Sequence, residues 1–217
     1  MLLHTQHIPD GVADGAPLLV LLHGRGSHMG DLMSLRPALP PSTMVVAPQA
    51  PFPGAAWGYG VGWAWYRFLG GTTPDPATFE AGQAELEAFL TDLPSRLPVR
   101  PGPIVLGGFS QGATTSLAYA LRHPGALAGV LVFSGFLADH PSVRAIPETV
   151  ANLPVFWGHG NHDPMIPFAH AEAGWAALHA AGAILTSRDY PSGHTIEPDE
   201  LGDAVGWLGG VASAAVG

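Results

Sequence analysis

No cysteine occurs in the 217 residues, so disulfides, thiolate nucleophiles and Cys-held metal centres are excluded. Lysine is absent as well: all eight basic residues are arginines, scattered along the chain. Nucleic-acid binding requires clustered basic residues, so no nucleic-acid partner is expected. Charge of either sign is scarce, at 12% of residues, and the balance of −9 serves solubility rather than a polyanionic ligand. Long apolar runs are missing too. The longest near the start, "PLLVLLHG", is far too short to cross a bilayer, so no stable membrane insertion is expected. The opening "MLLHTQHIPDG" lacks the basic, then apolar, pattern of a signal peptide, and a cytoplasmic protein is expected.

The chain is rich in apolar residues, at 47%, with 29 glycines and 22 prolines to punctuate them. Its length suits a single domain over residues 1–217. Short apolar runs recur at 17–24, 43–50, 103–110, 127–135, 153–163 and 183–191, several without polar alternation, as in strands buried on both faces. Between and after them lie helix-length segments at 75–93, 111–124, 167–182 and 197–212. This alternation predicts an α/β fold, a mostly parallel sheet flanked by helices with no large cap domain. The aromatic segment 51–74 is the least regular part and reads as a long ordered loop.

Ser110 stands in "GGFSQGATTSLAYALRHP", a Gly-x-Ser-x-Gly pattern after an apolar strand and before a helix. In α/β-hydrolases this context is a tight turn that exposes a nucleophilic serine, followed in the chain by an acid and then a histidine. A serine hydroxyl is a weak nucleophile and needs that base. Seven histidines follow Ser110, and His194, in the loop "YPSGHTIEP" after the last strand, suits the base. Asp163, at the end of "PVFWGHGNHD", suits the acid; Asp139, one strand earlier, is the alternative. The oxyanion hole calls for two backbone N–H groups: that of Gln111, after the nucleophile, and that of Arg25 in "LLHGRG". His23 reads as structural. His159, His162 and Asp163 resemble a metal-ligand cluster in spacing, but lack a further ligand pair. Trp57, Trp63 and Trp65 divide between core and the wall of a substrate pocket, and Met29, Leu32 and Met33 between helix core and that same apolar pocket.

Taken together, "LLHGRG", "GGFSQGA", "GHGNHDPMIP" and "YPSGHTI" resemble the phospholipase/carboxylesterase family, which includes the acyl-protein thioesterases. The resemblance runs from about residue 17 to 210. It implies an α/β-hydrolase acting on carboxylic esters or thioesters without a cofactor. It maps the triad to Ser110, Asp163 and His194 and the oxyanion hole to Arg25 and Gln111. The implied partner is a small ester or thioester with an apolar acyl or aryl group; a homodimer is left open. The chain departs from the family wording in "GRGSHMGD", in "SGHT" and across 52–70. A non-catalytic module on the same scaffold should have lost a triad member, and none is missing. A dienelactone-hydrolase-like enzyme commonly uses a cysteine, and none is present.

Overall fold

The computed structural model describes residues 2–214. Strands β1 (His4–His7), β2 (Leu18–Leu22) and β3 (Met44–Pro48) open the chain. Two small antiparallel ribbons follow, β4 (Phe52–Pro53) with β5 (Trp63–Ala64) and β6 (Phe68–Gly70) with β7 (Thr73–Pro74). The rest alternates as α1 (Pro76–Asp92), β8 (Ile104–Phe109), α2 (Gln111–Arg122), β9 (Gly129–Phe133), α3 (Pro147–Val150), β10 (Pro154–Gly160), α4 (Phe168–Ala180), β11 (Ile184–Tyr190) and α5 (Pro198–Ala214). The central sheet has the order β1-β3-β2-β8-β9-β10-β11 and is parallel except for β1, which pairs antiparallel with β3. This is the α/β-hydrolase architecture expected, with helices on both faces.

Every residue of β2, β3 and β9 is buried, which accounts for their unbroken apolar runs. Successive side chains leave the sheet on opposite faces. Leu18, Val20 and Leu22 therefore join one core with α1, α2 and α4, whereas Leu19 and Leu21 join a second core. That second core is closed by α5 and a 3-10 turn over Leu32–Ala38. Helix α2 lies deepest, with every residue from Gln111 to Leu121 buried. Helix α1 starts where Asp75 accepts the Thr78 N–H at 3.0 Å and Pro76 takes the first turn.

The strand order reverses direction between β2 and β8. The chain moves outward from β2 to β3, then returns to place β8 on β2's other side. At such a switch point the loops leaving the strand ends diverge and open a crevice. The loop after β2 carries His23, Gly24 and Arg25, and the turn after β8 carries Ser110.

Candidate active site

Ser110 links β8 directly to α2 with φ 54° and ψ −117°, a region that residues with a side chain rarely occupy. The close packing of the turn explains the glycines around it. A Cβ on Gly112 would lie 2.0 Å from the Leu22 carbonyl oxygen, and one on Gly108 would lie 2.6 Å from the same atom. Only glycine lets β2, β8 and the start of α2 approach this closely.

The Ser110 hydroxyl lies 2.9 Å from His194 Nε2. On the other side of the ring, His194 Nδ1 donates to Asp163 Oδ2 at 2.6 Å. The second oxygen of Asp163 accepts from the N–H groups of Met165 and Ile166, at 2.8 and 2.9 Å. These bonds fix the carboxylate in its buried seat, and Phe109 packs its ring against that of His194 at 4.6 Å. Asp139 is exposed, and its backbone N–H ties the loop after β9 to the Thr72 carbonyl.

His159 forms a layer behind the acid. Its Nε2 donates to the Ile166 carbonyl at 2.9 Å and lies 3.6 Å from Asp163 Oδ2. Burial lowers its pKa, so the ring stays neutral and braces the turn that presents Asp163. His162, one residue before Asp163, is exposed, so of the three sequence neighbours only His159 and Asp163 share the buried layer. No group of three or more metal-ligating side chains converges among the described residues.

Gln111 and Arg25 flank the serine. Neither backbone N–H donates a hydrogen bond among the described residues, and both residues line the cleft that contains Ser110. The Gln111 side chain is a latch: its Oε1 accepts from Trp65 N–H and its Nε2 donates to the Tyr66 carbonyl, each at 2.8 Å. His23 is buried and structural. Its Nδ1 donates to the Gly24 carbonyl at 2.8 Å, and its Nε2 accepts from the Ala50 N–H and the Gln49 side chain. Burial lowers its pKa to about 4, which keeps it an uncharged strut.

The cleft holds about 190 Å³ and is walled by Tyr66, Phe68, Phe109, Phe136, Met165 and Ile166. This corrects the wall expected from the sequence. Trp65 is fully buried in the main core, where its indole N–H donates to the His23 carbonyl at 2.9 Å. Trp63 packs on that core and pairs through its backbone with Ser27. Trp57 packs among Phe52 and Tyr59, within its own ribbon. Leu32 and Met33 belong to the opposite core, and the Met29 N–H binds the Gln49 side chain. None of these six lines the cleft. The aromatic segment does reach it, but through Tyr66 and Phe68. Sequence reasoning missed Phe109, Met165 and Ile166, although each stands within two or three residues of a proposed reacting side chain.

A family model described as Phospholipase/Carboxylesterase matches residues 5–209. The chain belongs to this family. Within it, the "Probable carboxylesterase SOBER1-like" of Arabidopsis thaliana is 32% identical over 112 residues, which is 51% of this chain and 43% of that protein. Acyl-protein thioesterase 1 of Cryptococcus neoformans is 32% identical over 120 residues, 48% of this chain and 50% of that protein. The chain thus spans about half the length of the relatives it matches. The crystal structure of esterase PE8 is similar throughout, with a TM-score of 0.79 at 32% identity, covering 97% of this chain and 99% of that one.

Proposed function

We propose that the protein hydrolyses small carboxylic esters or thioesters through an acyl-enzyme on Ser110. The observation that carries this reading is the hydrogen-bonded series Ser110–His194–Asp163, held on the strained turn at the mouth of the cleft. The named carboxylesterase and acyl-protein thioesterase relatives support the same class.

In this mechanism Ser110 Oγ attacks the ester carbonyl carbon while His194 Nε2 takes its proton. Asp163 holds the Nδ1–H tautomer and stabilises the imidazolium that forms. The N–H groups of Arg25 and Gln111 donate to the oxygen that gains charge, and the first turn of α2 adds its positive end. Collapse expels the alcohol or thiol with the proton from His194. Water then repeats the cycle on the acyl-enzyme and frees Ser110. No metal or cofactor takes part. The cleft, smaller than the usual range for drug-sized ligands, favours a short apolar acyl or aryl group.

Ser110→Ala tests the assignment. Alanine keeps the turn small, so the variant should fold, lose ester hydrolysis and fail to react with a fluorophosphonate probe that labels the parent. Normal turnover or labelling in the variant would refute the nucleophile.

A further inference from the structure

The Arg25 guanidinium is held beside the nucleophile in an unusual way. It stacks 4.7 Å from the centre of the Tyr59 ring and 5.4 Å from that of Phe68. Arg122, Arg188 and Arg96 each lie within 3.5 Å of a carboxylate oxygen. Arg25 forms no ion pair and no side-chain hydrogen bond among the described residues, yet it lines the Ser110 cleft. Rings against the faces of a guanidinium leave its N–H edge as the available donor surface. That edge fits a planar acceptor pair such as a carboxylate, which it can bind through two parallel hydrogen bonds.

The topology says which end of a substrate meets it. His194 must protonate the departing oxygen or sulfur, so the leaving group lies toward the β10 and β11 loops that carry Asp163 and His194. Arg25 follows β2, on the opposite side of β8 and Ser110. The acyl chain therefore runs toward Arg25, past Tyr66 and Phe68. We propose that Arg25 is a specificity residue that selects acyl groups with an apolar stem and a terminal carboxylate. This rests on the esterase reading above and names the substrate class within it. Asp31 also lines the cleft, where its carboxylate accepts from the Ser27 hydroxyl at 2.6 Å. It opposes an anion, as does the net charge of −9, so the preference is local and is measured against a neutral ester of the same shape.

The test compares three phenyl esters by phenol release: the monoester of adipic acid, its neutral counterpart with a terminal carboxamide, and the hexanoate. The parent should favour the acid over the amide in kcat/KM by about 10-fold, the scale of one charge-assisted contact. In Arg25→Met the ratio should fall to about 1. Arg25→Lys should lie between, since it keeps the charge without the planar fork. Arg25 is exposed, so these variants should fold, and thermal melting checks that they do. Any change in the backbone N–H of residue 25 affects both esters alike and cancels in the ratio. A parent ratio of 1 or less, or an equal ratio in Arg25→Met and parent, overturns the proposal while the hexanoate still reports an esterase. Failure to cleave any of the three esters overturns the esterase reading and this proposal with it.

Discussion

Two aspartates competed for one role in the sequence, and their surroundings now separate them. Asp163 is buried, accepts two backbone N–H bonds and touches His194; Asp139 is exposed. Asp163→Asn should lower turnover by about 10⁴ through a misdirected imidazole, and Asp139→Asn should change it little. Comparable kcat values for the two variants would reverse the assignment. That Ser110, Asp163 and His194 come together was legible because each follows a strand end in a short motif with a fixed chain order. The cleft wall was not. Tryptophan is apolar enough to suggest a wall, but its N–H needs a partner when buried. For Trp65 that partner is the His23 carbonyl, a contact between residues 42 apart that no local pattern announces. His159 was legible as a histidine near the acid, but its task of bracing the 163–166 turn depends on the fold of that turn.

At the scale of elements, the short runs located the six inner and late strands to within a few residues. Burial on both faces demands continuous hydrophobicity in strands such as β2, β3 and β9. The edge strand β11 is mostly exposed and showed only as a short run ended by Tyr190 and Pro191. β1 escaped notice: "HTQH" is polar and pairs only along one edge, with β3. The segment 51–74 read as an irregular loop because its ribbons are two or three residues long, too short for any period to register. What orders it is the Gln111 latch, which ties Trp65 and Tyr66 to the start of α2. Gln111→Ala would leave a buried backbone N–H and a buried carbonyl without partners. It should destabilise the protein by about 2–4 kcal/mol in urea unfolding. It should also raise KM more than a simple loss of stability does, because Tyr66 forms part of the cleft wall. Unchanged unfolding in Gln111→Ala would show that the segment is ordered by something else.

Across the whole molecule, two buried groups set opposite arms of the pH–stability curve. His23 keeps its proton off until about pH 4, against an ordinary value of 6.5, because burial disfavours its charge. The unfolded chain takes up that proton first, so stability falls as pH drops from 6.5 toward 4. Glu200 is the reverse case. Its carboxyl is fully buried, and burial pushes its pKa up from 4.5 to about 8, outweighing the opposing contact with the Glu197 backbone. The folded protein holds that proton while the unfolded chain releases it, so stability falls as pH rises from 4.5 to 8. Glu200→Gln removes this arm. Relative to the parent it should gain roughly 3 kcal/mol between pH 5 and pH 8 in chemical unfolding. A parallel pH dependence in both proteins would refute the assignment. The strand order described above also divides labour along the chain. The arginine end of the cleft comes from residues 24–68 and the proposed reacting side chains from 110–194. The two stretches meet at the seam between β2 and β8, through the Gln111 latch and where Phe68 faces Phe136. On the proposed reading, the Arg25 side chain and the triad therefore lie on separate stretches of sequence, while the Arg25 N–H and the wall residues Phe109, Phe136, Met165 and Ile166 bind the two stretches into one site. A chimera that exchanges only the side chains at 25, 66 and 68 should shift the preference at the arginine end of the cleft while the proposed triad stays as it is.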